Sequence, residues 1–220
     1  ILIDTATGNG RERNHKPLFH QLNTPYYHRL IASGIDPAEV SLVLMTHIHT
    51  DHVGWNAHWV NGQWQPLFPS ARYVFSSKEL EKCRTDPNQK NLFNDSLLPL
   101  IASGQLDAID ISESPCFGNV LRYLPTPGHS QDHASLILQS AGQSAIFTGD
   151  VMHHPLQFDF PDWNSVFCED KFQAGLSRYK ALDWAAENQA LWFSSHFTGS
   201  SYGTVIRDHY RKYHWQMQED

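Results

Sequence analysis

Cysteine is scarce in this 220-residue chain: Cys83, Cys116 and Cys168 occur, widely spaced and odd in number. No CxxC pair exists, so a thiolate zinc site is excluded, and so few distant thiols make no disulfide framework. Buried, reduced thiols are the expectation. Long apolar runs are missing as well. No stretch approaches the ~20 residues needed to cross a bilayer, so no membrane partner is expected. Basic blocks are also absent. Sixteen Lys and Arg stand against 23 Asp and Glu, a formal charge of −7, which argues against nucleic acid as a partner. Internal repeats and low-complexity linkers are lacking too, and the length suits a single domain over 1–220 with a sizeable core. The opening "ILIDT" has no Met and is already strand-like, so the expectation is a truncated N-terminus, with a cytoplasmic protein expected and secretion left open.

What the chain does have is histidine, 14 residues of it. Three of them crowd into "LVLMTHIHTDHVGW", directly behind an apolar run. His47 and His49 lie two apart beyond a strand end, where side chains at i and i+2 project to one side. That spacing suits two imidazoles gripping one cation. Asp51 and His52 follow at once and would point toward a second site nearby. The HExxH spacing of a helical zinc site is absent. A solvated polar loop is the plain alternative for one histidine, but not for four ligand-type residues at this spacing after a buried strand. Any metal here must be held by nitrogen and oxygen.

The rest of the pattern mixes strands and helices. "ILID", "SLVLMT", "ARYVFS", "VLRYL", "ASLILQS", "SAIFTG" and "ALWFSS" read as strands, the last as the final buried one. Helices are expected in "YYHRLIAS" behind Thr24-Pro25, with Gly34 as its stop, in a short "DPAEV" turn, and in "KELEKC" behind a Ser76/Glu79 capping box. "LFNDSLLPLIAS" reads as a helix that Pro99 weakens, and "KFQAGLSRYKALDWAAEN" as a long helix. "GNGRERNHKP" reads as a polar turn-rich segment. The tail "YGTVIRDHYRKYHWQ" fits either a helix or a hairpin. The class is α/β or α+β with sheet layers inside.

The motifs together resemble the metallo-β-lactamase superfamily, whose signature is HxHxDH after a strand. "ILIDT" matches its opening motif, with Asp4 in a supporting position. "THIHTDHVG", "TPGHSQDHASL", "TGD" and "SSHF" follow in family order, each beyond an expected strand. The resemblance implies a four-layer αβ/βα sandwich, whose usual first strands would precede Ile1. It implies that His47, His49 and His129 hold one metal, that Asp51, His52 and His196 hold a second, and that Asp150 bridges them. Nitrogen and oxygen donors suit zinc first, with manganese, iron or cobalt as alternatives.

The ligand set is less similar to the antibiotic-degrading β-lactamases, which generally lack the bridging aspartate, and to flavodiiron oxidoreductases, which have Glu where this chain has His49. No exosite segment of the nuclease branch is visible. The long interval from His52 to His129 looks like lactonases and aryl-ester or organophosphate hydrolases. The implied reaction is attack by a metal-bridging hydroxide on the carbonyl of a small-molecule lactone or carboxylic ester, with Asp51 passing the proton to the leaving oxygen. A glyoxalase-type thioesterase and an organophosphate triesterase are the alternatives within hydrolases. A mononuclear iron oxygenase and a metal-binding sensor are those of other classes.

Two features are specific to this chain. "GWNAHWVNGQWQPLF" places Trp55, Trp59 and Trp64 in a loop that forms either an apolar substrate wall or a cover for the sheet edge. His153 stands three residues after Asp150, where acyl-homoserine lactonases have a tyrosine. It serves either as an oxyanion donor or as a brace for a ligand. His133 is expected behind the ligands. His15, His20, His28, His58, His209 and His214 are expected at the surface or in packing.

Overall fold

In the computed structural model, which describes residues 1–218, the apolar runs pair as buried strands within two units, Ile1–Ile109 and Asp110–Asp220. In the first unit β1 (Leu2–Ile3), β2 (Leu42–Leu44), β5 (Arg72–Ser76) and β6 (Leu106–Ile109) form a sheet in that order, every pair parallel. Parallel strands need crossovers. α1 (Tyr26–Ala32) lies in the first connection, and α2 (Thr50–Val53) in the second with the antiparallel hairpin β3 (Ala57–Val60)–β4 (Gln63–Pro66). α3 (Ser77–Thr85), α4 (Lys90–Leu92) and α5 (Leu98–Ala102) fill the third. Val43 and Leu44 are fully buried, each stabilising the fold by ~1.5–3 kcal/mol.

Local rules explain most boundaries. Ser76 accepts the Glu79 N–H at 3.2 Å, the cap expected for α3. Gly34, at φ +82°, ends α1 in the left-handed region where glycine is favoured. The helix expected around Pro99 is interrupted: a π-turn, Phe93–Leu97, separates α4 from α5. Proline offers no N–H to the Asp95 carbonyl four residues back. The Arg11 guanidinium donates to that carbonyl instead. Arg11 is fully buried and Arg13 nearly so, although their segment is polar and turn-rich.

The second unit is one seven-stranded sheet in the order β13-β12-β11-β10-β9-β8-β7. Its strands are β7 (Cys116–Phe117), β8 (Leu121–Pro125), β9 (Ala134–Ser140), β10 (Gln143–Phe147), β11 (Leu191–Phe193), β12 (Tyr202–Arg207) and β13 (Tyr213–Met217). Only β10 and β11 run parallel, because the crossover between them carries α6 (Leu156–Asp159) and the long α7 (Lys171–Glu187). β11 is therefore not the last strand: the ambiguous tail is the hairpin β12–β13. Trp192 is fully buried, and Phe158 stacks on Trp215 at 4.9 Å in this unit's core. Cys83 and Cys168 are buried as expected, whereas Cys116 is exposed; all three are free thiols. Among the described residues no helix is long and apolar enough to cross a membrane.

Candidate metal centre

In the first unit the ligand-type residues start just past β2. His47 and His49 extend the strand direction, and His49 caps α2, whose single turn carries Asp51 and His52. The His47 Nε2 and His49 Nδ1 atoms face each other at 3.0 Å with rings nearly perpendicular. Two imidazole nitrogens this close are within reach of one cation held at about 2.0–2.1 Å from each.

Asp4 supplies the support beneath them. Its Oδ2 accepts from His52 Nδ1 at 2.8 Å and from the Thr46 hydroxyl at 2.8 Å, and its Oδ1 accepts the Thr46 N–H at 2.8 Å. The Thr46 hydroxyl in turn meets His47 Nδ1 at 2.9 Å. One carboxylate thus sets the tautomer of two histidines, turning both Nε2 atoms away from it as metal ligands require. Asp4 adopts a left-handed backbone, φ 56°, an uncommon conformation held by surrounding structure. Backbone bonds Thr5 N–H to His52 O and Gly54 N–H to Ala6 O tie this segment to α2 and the residue after it. A Cβ on Gly54 would lie 1.8 Å from the Thr7 carbonyl oxygen, so only glycine fits there.

Two buried arginines complete this half. Arg13 binds Asp95 through two bonds, at 2.7 and 2.9 Å, and also donates to Thr50, between His49 and Asp51. Arg11 lies 3.3 Å from Asp95 and donates to the Gly54 and Ala57 carbonyls. Burial lowers the Arg11 pKa to about 10, with Asp95 opposing the shift, so it remains a cation at neutral pH. Neither arginine was legible as a support in the sequence, because a guanidinium in a polar loop normally marks the surface.

In the second unit the ligand-type residues come from separate strand ends. His129 follows β8, Asp150 follows β10 and His196 follows β11. Asp150 is 2% exposed, and its Oδ2 lies 2.9 Å from His196 Nε2, 3.2 Å from His129 Nε2 and 3.6 Å from His153 Nε2. His153 stacks parallel to His196 at 5.1 Å, so it joins this cluster rather than the surface. One carboxylate oxygen facing three imidazoles is a donor set of N and O atoms that fits a divalent cation.

This half has its own supports. His133, fully buried, accepts the Asp150 N–H at Nε2 (3.1 Å) and turns Nδ1 toward the Thr126 carbonyl (3.1 Å), so it sits behind the ligand-type Asp150. Gly128, at φ +124°, lets its loop pass Ala174, whose backbone nitrogen would sit 2.2 Å from a Cβ. The buried Arg178 donates to the Val151 carbonyl beside Asp150 at 2.9 Å. The Cys168 sulfur sits 4.0 Å from His129 Nδ1, a neighbour no sequence signal announced. The Trp-bearing loop of the first unit contains the β3–β4 hairpin, which carries Trp59, exposed, and Trp64, half-buried; Trp55, buried, lies on the 3-10 turn before it.

A model of the metallo-beta-lactamase superfamily matches residues 1–204. Among curated proteins, an atrochrysone carboxyl ACP thioesterase of Aspergillus fumigatus is 33% identical over 113 residues, 51% of this chain and 28% of that protein. The lactamase-like protein nscB of Trichophyton verrucosum is 31% identical over 157 residues, 70% of this chain and 44% of that protein. The chain spans less than half the length of these two relatives. Among solved structures, AidC, a dizinc quorum-quenching lactonase, matches with TM-score 0.79 at 19% identity, over 100% of this chain and 76% of that one. The hydrolase AbOPH matches with TM-score 0.80 at 23% identity over the same shares. These likenesses establish the fold, which is the one the motifs imply.

Proposed function

Because the chain belongs to the metallo-β-lactamase superfamily, we propose that it is a dinuclear metal-dependent hydrolase of a small-molecule lactone or carboxylic ester. His47, His49, Asp51 and His52 act with His129, Asp150 and His196 as ligands to two divalent cations, zinc being the first choice. The observation that carries this reading is the single Asp150 oxygen faced by three imidazoles. A buried carboxylate faced by imidazoles is a donor set of the kind a divalent cation takes.

When bound, the cations would supply positive charge that activates water at neutral pH and polarises the acyl oxygen. The residues do the rest. Asp4 and Thr46 hold His47 and His52 in the ligating tautomer. Asp51, on the first turn of α2 and partly exposed, takes the proton released by the attacking water and returns it to the leaving oxygen as the acyl–oxygen bond breaks. His153 donates a hydrogen bond to the acyl oxygen as that oxygen gains charge. The thioesterase name of one relative favours a second reading, an acyl thioester in which the same proton goes to the leaving sulfur.

Elemental analysis of the purified protein, run with a panel of lactones, aryl esters, thioesters and phosphotriesters, tests the proposal. About two metals per chain and turnover of an ester or lactone are expected. Turnover confined to thioesters moves the assignment to the second reading. One iron per chain with oxygen uptake identifies an oxygenase, and a metal-loaded protein inert toward the whole panel identifies a sensor.

A further inference from the structure

The first unit contains an open cleft of about 700 Å³ that the proposed chemistry does not use. Small-molecule sites span about 300–1,000 Å³ and are lined by aromatic side chains with a few polar groups. Tyr27, Trp55, Trp59 and Trp64 line this one, with Glu12 and His58. Trp59 and Trp64 face each other across the β3–β4 hairpin, their rings 5.1 Å apart and inclined at 69°. They form a corner in which a flat ring can lie face-on to one indole and edge-on to the other. A cross-strand indole pair also stabilises a hairpin, but that role does not require Trp59 to stay 59% exposed.

The chemistry of the occupant follows from Arg11. Its guanidinium carbon lies 3.7 Å from the centroid of Trp64, and because Arg11 is fully buried it occupies the inner face of that ring. A cation on one face draws π density toward itself. The outer face is then a poor second cation site and a good platform for an electron-rich ring. The Glu12 carboxylate repels anions and accepts hydrogen bonds, here one from Gln21 at 2.7 Å. His58, its pKa lowered by burial and then by Arg11, stays neutral at neutral pH and offers one donor and one acceptor.

We infer that this cleft binds a neutral, electron-rich, hydroxyl-bearing aromatic ring, held in the corner of Trp59 and Trp64 with its hydroxyl at Glu12 or His58. Such a ring comes either from a free phenolic molecule or from the aromatic part of a substrate. The second source rests on the hydrolase reading. It is motivated by Trp55, which lines the cleft three residues after His52, on the 3-10 turn that follows α2.

Calorimetric titration of the full chain with 2-naphthol tests the inference. One-to-one binding is expected, weakened about fivefold by Trp59→Ala, the size of a lost aromatic pair. Trp59→Phe should retain most of the affinity, which separates lost stacking from a damaged hairpin. Trp163→Ala, at an exposed indole of the second unit, should change nothing. No binding of 2-naphthol, equal binding of cyclohexanol, or tighter binding of tetramethylammonium overturns the inference. The sources separate in hydrolysis of 2-naphthyl acetate. A KM raised by Trp59→Ala at constant kcat assigns the ring to the substrate, and an unchanged KM assigns it to a free molecule. A protein that binds 2-naphthol yet hydrolyses nothing overturns the hydrolase reading alone.

Discussion

The two units assemble their ligand-type residues in opposite ways. In the first, His47, His49, Asp51 and His52 come from one stretch of six residues, and a single carboxylate, Asp4, braces two of them. In the second, His129, Asp150, His153 and His196 lie beyond the ends of three strands, and the Asp150 loop has two supports of its own, His133 and Arg178. The first arrangement is local and shares one brace. The second depends on the register of β8, β10 and β11, so it stands or falls with the sheet. A local cluster should therefore be disabled by one supporting residue, whereas a distributed one should yield mainly to loss of a ligand.

The sharpest break of that contrast is Asp150→Asn. Metal affinity should fall by more than ~100-fold, beyond the loss typical of a supporting residue, and turnover should vanish with it. Metal content after dialysis measures this, and full retention of both would remove Asp150 from the centre. Asp4→Asn comes next. It should lower affinity by roughly 10–100-fold, and more than His133→Gln does in the second unit, because it releases two histidines rather than one loop. Equal effects would mean that the shared brace is not functional.

Stability should differ between the units too. Asp95→Ala leaves Arg11 and Arg13 buried without their carboxylate, and should destabilise the protein by ~3–5 kcal/mol. Arg178→Met leaves backbone carbonyls to be satisfied otherwise, and should cost a smaller ~1–3 kcal/mol. Urea titrations followed by circular dichroism would rank them, and the reverse order would contradict the ion-pair account. A milder effect is expected in alkali. Burial raises the phenols of Tyr26 in the first unit and Tyr213 in the second to about 12, from an ordinary value of about 10. A raised folded pKa contributes stability that is complete below 10 and is lost as pH rises toward 12. Phenolate absorbance rising together with unfolding above pH 10 is the expected record. Titration of these phenols near pH 10 in folded protein would show that they are not buried. The smallest effect belongs to His209→Ala, an exposed residue whose loss should leave metal content and stability unchanged within ~0.5 kcal/mol.

Legibility followed the same divide. The strands before His47 and Asp150 were readable because their apolar runs are continuous, as in doubly buried strands. The cap at Ser76 and the stop at Gly34 were readable because they act within a few residues. The β3–β4 hairpin was read as a loop although Asn61 and Gly62, both at positive φ, are the pair a tight hairpin turn prefers. The π-turn at Phe93–Leu97 was not readable, since the Arg11 guanidinium that accompanies it comes from 84 positions earlier.

By itself the sequence carried the family, through motifs that resemble the superfamily's and stand in its order, and it put His47 and His49 on one side of the chain, because residues two apart beyond a strand end share a side. It also determined that Asp4 would lie in support. Tertiary structure alone decided that Arg11 and Arg13 are interior cations, that Arg178 holds the Asp150 loop, and that Trp59 and Trp64 form a corner. A side chain's partner depends on which distant backbone comes within hydrogen-bond reach. That reach is set by sheet register and helix packing, and no local pattern of residues encodes it.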